Sequence, residues 1–322
     1  MSDHVPVMRD QVLALIDPKP GIYVDSTFGR GGYTKALLDS HPEVQVIGID
    51  RDPDAIAWGR AHLEPLYGSR LTLAHDKFSA IQAVLTNLNI SSIQGIMFDL
   101  GVSSPQLDQA HRGFSFSQEG PLDMGMGLND QTASDVLNHM PAEDLSNLLY
   151  TLGGEKYARV IARHVESYRK SAPFETTLEF AELIGRVIKR RDPSGIHPAT
   201  RSFQALRMHV NQELEELTLA LEAAVPALAP GGRLVVVSFH SLEDGLTKRF
   251  LRTQSAHPQS PNRHGFPQMG AADASVLTLS VPGKQPLSPT REETMGNPRA
   301  RSARLRWAVR LGSLGEEGGL CK

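Results

Sequence analysis

Two acids and three glycines have the spacing of a nucleoside-binding turn. The stretch Asp25-Ser-Thr-Phe-Gly-Arg-Gly-Gly32 opens on an acid, and the next apolar run, Val46-Ile-Gly-Ile-Asp50, closes on another. Asp50 lies about 20 residues beyond Gly31, the separation at which an acid in a βαβ unit accepts hydrogen bonds from ribose hydroxyls. Glycines in the turn let the backbone come close to a ligand. The pattern points to an adenosine-type cofactor. The nicotinamide fingerprint asks for a third glycine where Thr34 stands, and a P-loop asks for Gly-Lys-Ser/Thr where Lys35 follows Thr34. A turn with no pyrophosphate signature suits S-adenosyl-L-methionine, whose amino-acid end needs backbone and carboxylate contacts and whose ribose needs an acid. Asp50 is the ribose candidate; a solvated helix-entry aspartate is the plainer alternative. Asp76 or Phe78 can flank the adenine, and Phe78 reads equally well as core.

These residues need a scaffold, and the hydrophobic pattern supplies one. Ile22–Asp25, Val44–Asp50, Leu71–Ala74 and Ile93–Leu100 read as strands separated by helical segments, which predicts a parallel sheet. Tyr33–Leu38 opens one helix, and Asp52 caps the next with Pro53 at its first position. Asp25, Asp50, Asp76 and Asp99 all fall at or just after strand ends, where ligands sit in such sheets. From Pro105 the rhythm changes. Residues 105–130 read as loop. Helical patterns follow at Pro141, Glu155–Tyr168 and Leu178–Lys189, then as one long helix from Thr200 to Leu228. Ala229-Pro-Gly-Gly232 reads as a helix stop before a buried strand, Arg233–Phe239. Val276–Val281 and Arg304–Leu311 are expected to form a closing antiparallel hairpin with no helix between them.

Composition is that of an ordinary globular chain: 322 residues, 40% hydrophobic and 21% charged. Cys321 is the only cysteine, which excludes an internal disulfide and a cysteine zinc cluster and fits a reducing compartment. No metal-ligand spacing is present. The opening residues carry no signal-peptide pattern and no apolar run nears a membrane span of about 20 residues, so a cytoplasmic protein with no membrane partner is expected. Net charge is −3, yet Arg186–His209 carries a balance of +5 and Arg291–Arg310 one of +4. Such segments either neutralise phosphates or form solvated faces.

The motifs taken in order resemble a known family. His4-Val-Pro-Val-Met8, the glycine turn, Ile49-Asp-Arg-Asp-Pro53 and Asp99-Leu-Gly-Val-Ser-Ser-Pro-Gln-Leu-Asp108 come first. Arg112-Gly-Phe-Ser-Phe116, Gly120-Pro-Leu-Asp-Met124, His197-Pro-Ala-Thr-Arg201, Ser238-Phe-His-Ser-Leu-Glu-Asp244 and Asn297-Pro-Arg-Ala-Arg-Ser302 follow. Over nearly its full length the chain resembles the bacterial 16S rRNA cytosine-N4 methyltransferases of the RsmH or MraW family. The resemblance implies a Rossmann-like, S-adenosylmethionine-dependent domain at 1–104 and 215–322, with an inserted helical substrate-recognition domain at 105–214. It implies a decoding-centre cytosine of 16S rRNA in the small ribosomal subunit as target, and leaves a homodimer open. It matches Gly31, Gly32, Tyr33, Asp50, Phe78, Asp99 and Gln106 to cofactor positions.

Asp99 and the Ser103–Gln106 loop, Ser104 in particular, are the candidates to present oxygens to the target amino group. His240 and Glu243 follow the fifth strand and are candidates to face the substrate or to pass a proton to water, with satisfied packing the plainer reading of a lone histidine. Phe114 and Phe116 are candidate rings for an unstacked base, or core. Departures from the family are Tyr33 in place of a common histidine, Gly125 and Gly127 in place of charged residues, and Gly245 in place of an arginine. Competing expectations are a non-catalytic ribosome assembly factor, an amino-methyltransferase acting on DNA or protein, and a nicotinamide oxidoreductase.

Overall fold

The computed structural model describes residues 6–189, 195, 197–255 and 278–312. His4, Arg190, Arg191, Asp192, the 257–274 segment, Val276 and Cys321 lie outside the described residues. Two compact units emerge: Met1–Gly101 with Glu216–Lys322, and Val102–Glu215.

The first unit begins with α1 (Arg9–Ile16), β1 (Gly21–Asp25), α2 (Gly32–Ser40), β2 (Val44–Asp50), α3 (Pro53–His62), α4 (Glu64–Tyr67), β3 (Leu71–His75), α5 (Ile81–Asn87) and β4 (Ile93–Asp99). The second holds α6 (Ser104–Asp108), α7 (Ala133–His139), α8 (Ala142–Gly153), α9 (Ala158–Tyr168), α10 (Thr177–Val187) and α11 (Thr200–Val210). The chain returns to the first unit along α12 (Glu213–Ala227), then forms β5 (Leu228–Ser238), α13 (Ser241–Ser255), β6 (Leu279–Ser280), α14 (Arg291–Gly296) and β7 (Arg304–Arg310).

The seven strands form one sheet in the order β3-β2-β1-β4-β5-β7-β6. β1 to β5 run parallel, and β7 is antiparallel to both its neighbours. Alternate residues of each central strand enter opposite cores. Tyr23, Val46, Met97 and Val235 pack on one face, with Val24, Ile47, Phe98 and Val236 on the other. Burial on both faces explains the unbroken apolar runs of these strands. Each fully buried large side chain contributes roughly 1.5–3 kcal/mol.

Three expectations are corrected. Ala229–Gly232 does not precede β5 but lies within it, at a register shift opposite Ile93–Gly95. The β6–β7 connection is not helix-free: it contains α14, with Thr290 capping the amide of Glu293. The long helix from Thr200 is two helices, broken at Asn211 and Gln212, with Gln212 left-handed at φ 52. Buried Asn211 causes the break. Its amide donates to the Met124 carbonyl (2.8 Å) and its carbonyl oxygen accepts from the Met126 amide (2.9 Å), bonds that tie the helix end to a loop. The apolar stripe continues on both sides of the break, so periodicity alone does not register it.

The second unit packs around aromatic rings. Phe203 stacks on Phe180 (5.6 Å) and meets Phe116 edge-on (4.8 Å). Phe114 is buried in the same core. Both candidate base-stacking rings therefore serve packing.

Candidate active site

Because β1 to β4 are parallel, their carboxyl ends share one edge, and the acids that end them gather there. Asp25 is fully buried. Its Oδ2 accepts from Thr34 Oγ1 at 2.7 Å, and among the described residues its Oδ1 has no hydrogen-bond partner. Asp50 holds two amides, Gly29 on Oδ2 (2.7 Å) and Asp52 on Oδ1 (2.8 Å). Asp52 in turn caps α3 with Pro53 at its first position. Asp76, just past β3, accepts the Lys77 amide. At the end of β4 the Asp99 amide donates to Thr27 Oγ1, while Asp99 Oδ1 is buried without a partner among the described residues.

Burial sets the charge state of this edge. It is the largest cause raising Asp25 and Asp50 to about 6, partly offset by the hydrogen bonds each accepts. Asp99 is pushed well above the usual carboxylate range by burial, then by the negative charges of Asp25 and Glu243. Tyr33 is buried within the influence of Asp99 and Asp25, and its hydroxyl donates to the Val7 carbonyl. Its side chain is thus part of the wall rather than free for a ligand.

The glycine turn has an internal reason as well as a ligand-facing one. Gly31 caps α2 at φ 64, and a Cβ there would lie 2.4 Å from Leu63 Cδ1 and 2.9 Å from the buried Phe28 ring. Glycine is required by backbone and packing together. Gly32 starts α2, whose first amides have no intrahelical acceptor. Thr34, which broke the nicotinamide pattern, has a positive role as the donor to Asp25.

Glu243 reaches back from the first turn of α13, and its Oε2 accepts the amides of Phe239 and His240, both at 3.0 Å. His240 Nδ1 accepts the Leu242 amide at 3.3 Å, so the neutral ring carries its proton on Nε2. The structure makes His240 a helix cap. Phe78 is half-buried, edge-on to Phe98 at 5.9 Å. In the second unit Ser103 and Gln106 form a capping box for α6, with Gln106 Oε1 accepting the Ser103 amide at 2.9 Å. Ser104 is the first residue of that helix.

The edge thus brings together Asp25, Asp99, Glu243 and Tyr33, with Asp50 and the glycine turn built around its own amide bonds. The sequence names Asp25 only as a strand-end acid and Glu243 only as a neighbour of His240, without a cofactor or catalytic role for either. Asp25's position as the acid opening the glycine turn was the available signal. Gly127, a departure from the family, sits at φ 98, a conformation few side chains adopt.

Several cations of the two basic segments have partners within the fold. Arg207 makes a bidentate pair with Glu213 (2.7 and 2.8 Å), Arg186 pairs with Glu182, and Arg306 grips Asp244 through both oxygens. Arg304 donates to Ser288 and Arg310 to the Thr278 carbonyl.

A family model described as the MraW methylase family matches residues 1–311. A protein named ribosomal RNA small subunit methyltransferase H from Beijerinckia indica subsp. indica is 50% identical over 308 residues, covering 95% of this chain and 85% of its own. One of the same name from Acidiphilium cryptum is 47% identical over 313 residues, covering 96% and 97%. Among solved structures, a putative methyltransferase from Streptococcus mutans in complex with SAH aligns over 94% of this chain and 95% of its own, at 13% identity and a TM-score of 0.41.

Proposed function

Because this chain belongs to the MraW methylase family, we propose that it transfers a methyl group from S-adenosyl-L-methionine to the N4 amino group of a decoding-centre cytosine of 16S rRNA in the small ribosomal subunit. The coarser part of this reading, methylation of small-subunit ribosomal RNA, follows the relatives' shared name. Such a substrate places the protein in the cytoplasm. The observation that carries the reading is the acidic edge. Two buried carboxylate oxygens, Asp25 Oδ1 and Asp99 Oδ1, have no donor among the described residues, beside a glycine turn and a ribose-type acid. A cationic ligand with hydroxyl donors and no pyrophosphate fits that chemistry.

When bound, S-adenosylmethionine supplies an electrophilic methyl on a sulfonium. Asp50 keeps lone pairs for ribose hydroxyls while its amide bonds fix the turn. The backbone of Gly31, Gly32 and Tyr33 shapes the approach, and Phe78 is the candidate flank for the adenine. Gln106 remains a candidate cofactor contact through whatever its capping role leaves available. Asp99 orients the target amine, which is a weak nucleophile because its lone pair is delocalised into the ring, and positioning accounts for much of the rate. Ser104 is proposed to offer a second oxygen. The methylated nitrogen then sheds a proton. Asp99 in its ionised form is suited to accept it, because burial makes its carboxylate a stronger base than usual; His240 is the alternative once its cap opens.

Labelled methyl transfer tests this reading. Purified small subunits are expected to take label at one cytosine, and small-subunit RNA from cells lacking the protein should lack that methyl by mass mapping. Unmodified mass at every cytosine in both strains would reject it.

A further inference from the structure

The second unit carries a mainly cationic surface along α9, with partly exposed Glu166 as its one acid, that its internal packing does not use. In α9, Ala158, Ile161, Ala162 and Val165 are buried, whereas Arg159, Val160, Arg163 and His164 are exposed. Lys156 before the helix and Lys170 after it are also exposed. Arg159 and Arg163 are one turn apart on the same side of the helix, where like charges destabilise it by a few tenths of a kcal/mol. Among the described residues none of these four cations forms an ion pair, in contrast to Arg186, Arg207 and Arg306. Arg169, in the same stretch, is committed to the Leu137 and Met140 carbonyls. Two large side chains of the same pair of helices are also exposed, Tyr150 in α8 at 67% and Tyr157 just before α9 at 42%.

We propose that this face of α8 and α9 is an RNA-docking surface. Lys156, Arg159, Arg163 and Lys170 contact backbone phosphates, and Tyr150 and Tyr157 offer rings to unpaired bases. The inference rests on the proposed action on ribosomal RNA. Charge complementarity selects the partner. A chain of net charge −3 gains nothing from long-range attraction to a polyanion, so association needs local cations that are not already neutralised. Exposed aromatics among such cations are the pattern by which single-stranded RNA is held without base-specific hydrogen bonds.

The test compares wild type with Arg159→Ala/Arg163→Ala and with Tyr150→Ala/Tyr157→Ala, using fluorescence-labelled 16S rRNA and purified small subunits across a salt series. Losing two phosphate contacts should lower the slope of log affinity against log salt by about 1.5 and raise Kd roughly tenfold at low salt. KM for small subunits should rise with it, while donor affinity and helical content stay unchanged. The tyrosine variant should weaken binding without altering the slope. Lys248→Ala/Arg252→Ala, which removes the same charge from α13, should leave Kd near wild type. An unchanged slope and Kd for the arginine variant would overturn the proposal, as would an equal loss in the α13 control. If wild type itself modifies no ribosomal RNA, the functional reading fails rather than the surface.

Discussion

The main-chain amide of Asp99 donates to Thr27 Oγ1 at 2.7 Å, fastening the end of β4 to the turn that follows β1. Thr27→Val removes the acceptor and leaves that amide unsatisfied, at a cost of about 1–3 kcal/mol. Thr27→Ser should recover most of the loss. Denaturant unfolding of the two variants, with donor affinity alongside, checks this. Equal stability of Thr27→Val and wild type would remove the tie from the account.

Asp50→Ala is expected to weaken donor binding at least about tenfold, since hydrogen bonds to a charged group are worth about 1.5–3 kcal/mol. It should also lower the melting temperature, because the Gly29 and Asp52 amides lose their acceptor. Asp50→Asn, which keeps one oxygen, should bind in between. Calorimetry that finds unaltered affinity for the alanine variant would exclude Asp50 as the ribose acceptor.

Donor affinity should fall as pH drops through about 6. Asp25 and Asp50 titrate near there in the free protein, and Asp99 higher than a normal carboxylate. A ligand that brings positive charge and donors favours the ionised acids and lowers these values, so binding releases protons at mildly acidic pH. For stability of the ligand-free fold the sign is opposite. Folded values near 6 exceed the ordinary aspartate value of 3.8, so the acids' contribution is fullest below 3.8 and is lost as pH rises through 6. Titrations in buffers of different ionisation enthalpy measure the proton count; a flat affinity profile would contradict the burial argument.

Arg306→Ala should destabilise the first unit by about 3 kcal/mol, because it strands Asp244 in a largely buried pair. It should not change the salt dependence of RNA binding. A reduced slope with unchanged stability would reassign Arg306 to the RNA surface.

The parallel sheet is legible from the residues because its strands are unbroken apolar runs ending in acids, a pattern that burial on both faces produces. The break after α11 is not, since Asn211 is a single polar residue whose partners, Met124 and Met126, lie far away in the chain. Charge balance along a segment misleads for the same reason: Arg306 looks like a free cation until the fold brings Asp244 to it. Of the candidate site, the glycine turn and Asp50 can be read locally. The closeness of Asp25, Asp99 and Glu243 depends on strand order, and His240's capping role on the geometry of one turn.

The first unit is assembled from two stretches separated by Val102–Glu215, and β4 lies between β1 and β5. A nascent chain therefore finishes β4 with one lateral row of amides and carbonyls unmatched, and must elongate through the whole interruption before β5 arrives. At translation speeds of 5–20 residues per second that interval is roughly 6–23 s. Through it, Ile93, Ile96 and Phe98 line an open, sticky margin. Slowed elongation or truncation within the interruption should thus promote aggregation of the half-built sheet far more than the same insult after β7.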